Sequence, residues 1–159
     1  MKHYVKLGTA LAVAAGVSTV AYAQMKPEDA IRARQSIMRV VAINWGPVGQ
    51  MAQGKIPFNK DAFVANSQRL EAVWATGANR FFAPGSDKAV AGSKIGGFTD
   101  AKADVWSQPD KFKKAFDRNT EAIGKLAAAA RSGDESAMKA AAGDVGKACG
   151  GCHDDFRSK

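Results

Sequence analysis

Apolar side chains recur in steps of three and four over four stretches of this chain, the spacing that places them on one face of an α-helix. The first stripe reads Ile31, Arg34, Met38, Val41, Trp45, Val48 and Ala52. It follows Lys26-Pro27-Glu28-Asp29, where proline at the first helical position and carboxylates in the first turn mark a helix start. Gly46-Pro47 predicts a kink or interruption near the C-terminal third, because proline lacks a backbone donor and crowds the preceding turn. Arg34 breaks the apolar rule of the stripe. An unpaired buried guanidinium is costly, so Arg34 is expected to meet solvent at a bundle end or an anion.

After the Gly54-Lys55-Ile56-Pro57 turn, Asn59 is placed to cap a second helix with the stripe Phe63, Asn66, Leu70, Val73, Gly77, with Trp74 beside it. From Asn79 to Gln108 the periodicity gives way to Gly, Pro, Ser and Lys, which reads as one long crossover. Its glycines match neither the dinucleotide nor the Walker spacing, and no strand precedes them. Ser107 with Pro109 and Asp110 restarts a helix along Phe112, Phe116, Asn119, Ile123, Leu126 and Ala130. Ser132-Gly133-Asp134 then forms a short joint to a last stripe of Met138, Ala142, Val145, Cys149, Cys152 and Phe156. Four stripes, two short joints and one long crossover predict an all-α, antiparallel four-helix bundle.

The first 23 residues carry a different signal. Lys2, His3 and Lys6 precede an apolar run too short to make a convincing span, and Ala21-Tyr22-Ala23 fits a small-x-small cleavage site. Residues 1–23 are therefore expected to be a signal peptide, with export and no membrane attachment after cleavage. The remaining 136 of the 159 residues suit one domain, 24–159. Removing Lys2 and Lys6 from the 23 basic residues leaves 21 against 15 acidic ones, a balance of +6. That favours anionic partners in general. The cations are scattered without interleaved aromatics, which argues against a nucleic-acid binder.

The chemistry lies near the C-terminal end, at Cys149-Gly150-Gly151-Cys152-His153. On a helix the two thiols fall at i and i+3 and the imidazole at i+4, so all three project from one face. This spacing reads as a covalent attachment site for haem c: two thioethers and one axial iron ligand, His153. A thioredoxin-like pair would need a βαβ context that is missing here. Structural zinc would need four ligands, and a plain disulfide would leave His153 without a role. A bundle that is only structural or metal-carrying would require that no haem be attached. No nucleophile and base stand in a sequence context for an enzyme, although an open haem iron permits weak peroxidatic turnover.

Outside the leader His153 is the only histidine, so one chain cannot supply two imidazoles to iron. Met138 lies fifteen residues before His153, about 22 Å along the same helix, and belongs to the core. Met51 lies beyond Gly46-Pro47, and Met25 stands at an end that frays. The sixth iron position is thus open or held by Met38.

The C-terminal Cys-x-x-Cys-His, the segment Lys26 to Ala30, the run Arg34-Gln35-Ser36-Ile37-Met38, and Gly146 to Arg157 together resemble the cytochrome c prime family of class II cytochromes c. The likeness spans the mature chain. It implies a periplasmic protein, a homodimer formed through the first two helices, and a five-coordinate, high-spin haem that binds NO and CO. By the same resemblance Cys149 and Cys152 carry the thioethers and His153 the iron. Met38 crowds the vacant side, Arg34 and Gln35 stand near a propionate, and Arg157 lies beside the iron-binding histidine. Low-spin class II members, whose methionine binds iron from an equivalent position, imply the alternative of an electron-transfer cytochrome with Met38 as sixth ligand and a periplasmic redox partner. The Arg34-Gln35 pair favours the high-spin kind. The glycine-rich Ala89 to Gly97 stretch is longer than the family loop, which leaves the contacts of Trp106 open.

Overall fold

The computed structural model describes residues 25–91 and 98–158, so the expected leader, residues 1–23, lies outside the described residues. Four long helices form the molecule: α1 (Pro27–Ala52), α2 (Lys60–Ala75), α4 (Pro109–Ser132) and α5 (Glu135–Phe156). A single turn, α3 (Asp104–Ser107), precedes α4. Helix α1 packs on α2 and α5, and α4 packs on the same two, which closes a ring around one core. No described helix is long and apolar enough to cross a membrane.

The helix ends follow from local chemistry. Pro27 opens α1 with Glu28 and Asp29 in the first turn. The Asn59 side chain accepts from the Ala62 N–H at 2.9 Å and caps α2. At the α4–α5 joint Gly133 adopts φ 74°, which an L side chain resists, and Asp134 accepts from the Ser136 and Ala137 N–H groups at 2.8 and 3.1 Å. So short a joint turns α5 back along α4.

Three expectations need correction. Helix α1 runs through Pro47 without interruption. The carbonyl that loses its donor is that of Ile43, a residue 66% exposed on the outer face, where water can serve it. The buried stripe of α2 is Phe63, Ser67, Leu70 and Trp74, because the helix turns its Ser67 side, not Asn66 and Val73, fully inward. Of the three residues expected to restart a helix, Pro109 and Asp110 do open α4, whereas Ser107 ends α3.

The crossover also holds more structure than its composition suggests. A 3₁₀ turn, Ala78–Phe81, follows α2, and α3 forms shortly before α4. Trp106 lies in α3, and its indole N–H is shared between the Phe82 and Ala83 carbonyls, 3.1 Å each.

Candidate functional site

The seam between the helices changes character along its length. At the end near the α4–α5 joint, Val48, Phe63, Leu70, Leu126 and Met138 are essentially inaccessible. Toward the other end the same stripes become half-buried at Met38, Trp45, Phe112, Phe116, Cys149 and Cys152. There the helices part around a cleft of about 810 Å³. That volume falls within the range of small-molecule and cofactor sites. Met38 and Val41 of α1, Phe112 and Phe116 of α4, and the thiol helix α5 form its walls.

Cys149, Cys152 and His153 all border this cleft, as their spacing on one helical face requires. Both cysteines are free. Burial pushes the Cys149 thiol up to about 11, with the neighbouring Cys152 adding to the shift, and burial also raises Cys152. For His153, burial and then the Arg157 charge push the imidazole below its usual range, which favours the neutral form that has a lone pair for a metal. Met38 faces the same cleft from α1. Met138 is fully buried in the core and Met51 lies in the closed part of the bundle, where its sulfur accepts from the Asn59 N–H at 3.3 Å.

Arg34 differs from its expected setting. It is 5% exposed, and its terminal nitrogens donate to the Phe81 carbonyl at 3.1 Å, the Ser86 hydroxyl and carbonyl at 3.0 Å each, and the Thr99 hydroxyl at 2.7 Å. The Phe82 ring lies 5.0 Å and the Trp106 ring 5.7 Å from its guanidinium carbon. These hydrogen-bond acceptors are all neutral, so burial lowers the Arg34 pKa. The guanidinium is the clasp of the crossover. Gln35 behaves alike, donating to the Phe98 carbonyl at 2.8 Å. Both residues border the cleft while their polar heads hold the loop.

The crossover returns past the cleft as a short strap, residues 98–102, which sequence periodicity did not mark. Lys102 N–H donates to the Phe156 carbonyl at 2.9 Å and Ser158 N–H to the Asp100 carbonyl at 2.7 Å, an antiparallel bridge between Ala101 and Arg157. Arg157 itself sits one turn beyond His153, its N–H donating to the His153 carbonyl at 3.0 Å. The resemblance placed Arg157 beside the histidine, and the structure brings the two together on the cleft. Phe98, Thr99 and Asp100 are among the cleft residues that sequence reasoning missed.

A ring of helices with two free thiols and one imidazole along a single apolar cleft defines a c-type haem protein. The sequence pattern of the Cytochrome C' family matches residues 29–157, and the chain belongs to that family, whose members bind haem c covalently. It is 41% identical over 134 residues to cytochrome c' of Rubrivivax gelatinosus, covering 84% of this chain and 98% of the relative. The solved structure of that organism's cytochrome c' superposes with a TM-score of 0.75 at 40% identity, again over 84% and 98% of the two chains. A variant of cytochrome c prime from Alcaligenes xylosoxidans, solved as a nitric oxide complex, matches with a TM-score of 0.72 at 34% identity over 84% and 97%. The apolar cleft, the paired thiols and the neutral imidazole fit haem c.

Proposed function

We propose that this chain is a periplasmic haem protein whose iron, held by His153, is five-coordinate and binds NO and CO. Residues 1–23 are its export signal. Cys149 and Cys152 form the thioethers, and Met38 crowds the opposite wall of the cleft without binding iron. The haem supplies the ligand-binding and electron-transfer chemistry. The chain's part is to fix it at two thiols and one imidazole, keep water scarce and restrict entry. Arg34 and Gln35 serve this by holding the crossover along the cleft edge, and Arg157 places a positive charge beside His153. The protein is not a classical enzyme in this reading.

One observation carries the proposal: the cleft that receives Cys149, Cys152 and His153 offers them Met38 and otherwise mainly carbon and aromatic surface. The relatives solved with nitric oxide and with carbon monoxide support the choice of ligands. The second reading, a low-spin electron carrier that passes electrons to a periplasmic partner, is favoured by the position of Met38 on that same wall. Val40 and Ile43, 42% and 66% exposed on α1, support a homodimer.

Optical and EPR spectra of the purified haem-loaded protein test the proposal. High-spin ferric signals and ferrous uptake of CO at neutral pH are expected. Low-spin ferric signals that vanish in Met38→Ala would establish the second reading instead. Sedimentation equilibrium of the same preparation should give the mass of two chains.

A further inference from the structure

Asp100 stands where the crossover strap meets the end of the haem helix. Its side chain reaches that of Arg157, with 3.5 Å between Oδ2 and Nη2. Asp100, Arg157 and His153 all border the cleft. The strap is fixed at this point by the backbone bonds from Lys102 to Phe156 and from Ser158 to Asp100, which do not involve the carboxylate. At its other end it is held by Arg34 through Thr99 and by Gln35 through Phe98. The main chain therefore delivers the Asp100 carboxylate to Arg157 whatever the guanidinium does. Arg157 in turn follows His153 by one helical turn, so its long side chain has a choice of directions that the main chain does not settle.

Two lysines near this end have partners of their own. Lys102 Nζ donates to the Asp154 carbonyl at 2.7 Å, and Lys111 pairs with Asp155 at 3.0 Å. Arg157 has Asp100 as its ion-pair partner.

We propose that Asp100 is a positioning residue: its carboxylate holds the Arg157 guanidinium in one place beside His153 and so fixes the charge that the haem iron experiences. This rests on His153 as the iron ligand. It adds a residue of the crossover, outside the attachment motif, to the control of the haem.

The test is a double-mutant cycle on the haem-loaded protein with Asp100→Asn and Arg157→Gln, read as the ferrous-to-ferric ratio at one fixed solution potential. Asp100→Asn leaves the backbone bonds but no longer holds the guanidinium beside His153, so the iron loses a nearby positive charge and the ratio should fall. The pair is about half exposed, with side chains 57% and 49% accessible, so the expected fall is about 1.5- to 5-fold. In the Arg157→Gln background the same change should have an effect well below that seen alone. Asp100→Glu should restore the parent ratio, and added salt should shrink the Asp100→Asn effect. An equal rise in both backgrounds would show that Asp100 acts only through its own charge, and would overturn the proposal. So would an unchanged ratio in a variant whose optical spectrum matches the parent. A parent protein with no attached haem, or with an axial ligand unaffected by changing His153, would instead defeat the reading on which the proposal rests.

Discussion

The two ends of the helical ring use the same stripes for different ends. Near the α4–α5 joint, Leu70, Leu126 and Met138 fill the space between helices completely. About three turns further along the same faces, Met38, Phe116 and Cys149 stop short of meeting and leave the cleft. Stability is concentrated at the closed end and chemistry at the open one. A stripe that continues past the closed core with larger or sulfur-bearing side chains, and fails to close, is the mark of a site designed to be completed by something else.

That contrast can be tested by substitution. Leu126→Ala removes a fully buried side chain at the closed end and should cost about 2–5 kcal/mol in urea unfolding, with the haem spectrum unchanged. If the loss were small, the closed end would not be the anchor. Arg34→Leu lies at the open end and should cost about 1–3 kcal/mol, because the Phe81 and Ser86 carbonyls lose their donor. Unlike Leu126→Ala, it should also loosen the crossover, seen as faster amide exchange at Ser86 and Ala101. The smallest effect is expected at Ser67, whose buried hydroxyl has no hydrogen-bond partner among the described residues. Ser67→Ala should leave stability equal or raise it by up to about 1 kcal/mol in the same assay.

Much of the bundle was legible because its signals are local. Helical periodicity marks four faces without knowledge of what they meet, and the Cys149 to His153 spacing specifies one face by itself. The joint at Gly133 and the Asn59 cap are equally local. What escaped depends on distance along the chain. Arg34 looked like a cation in search of an anion, because its acceptors lie 47 to 65 residues away in a segment without periodicity. Ser67 resembles a surface residue until its neighbours are known. The effect of Pro47 depended on whether the Ile43 carbonyl faces water or protein, which no window of sequence around it tells. The strap carries no pattern at all: Thr99, Asp100 and Ala101 matter for the partners they meet in α1 and α5.

The Arg34 clasp has a consequence for how this chain can vary. It grips the crossover on one side at Phe81 and Ser86 and on the other at Thr99, so the chain between Ser86 and Thr99 is a closed loop whose two ends are fixed by one guanidinium. Closing a flexible loop becomes only slowly more expensive as it grows, about 0.6 kcal/mol for each doubling of its length. Residues inserted between those grips lengthen the loop without moving either wall of the cleft. Extra length between those grips is therefore cheap to carry, and the segment can vary while both grips stay in place.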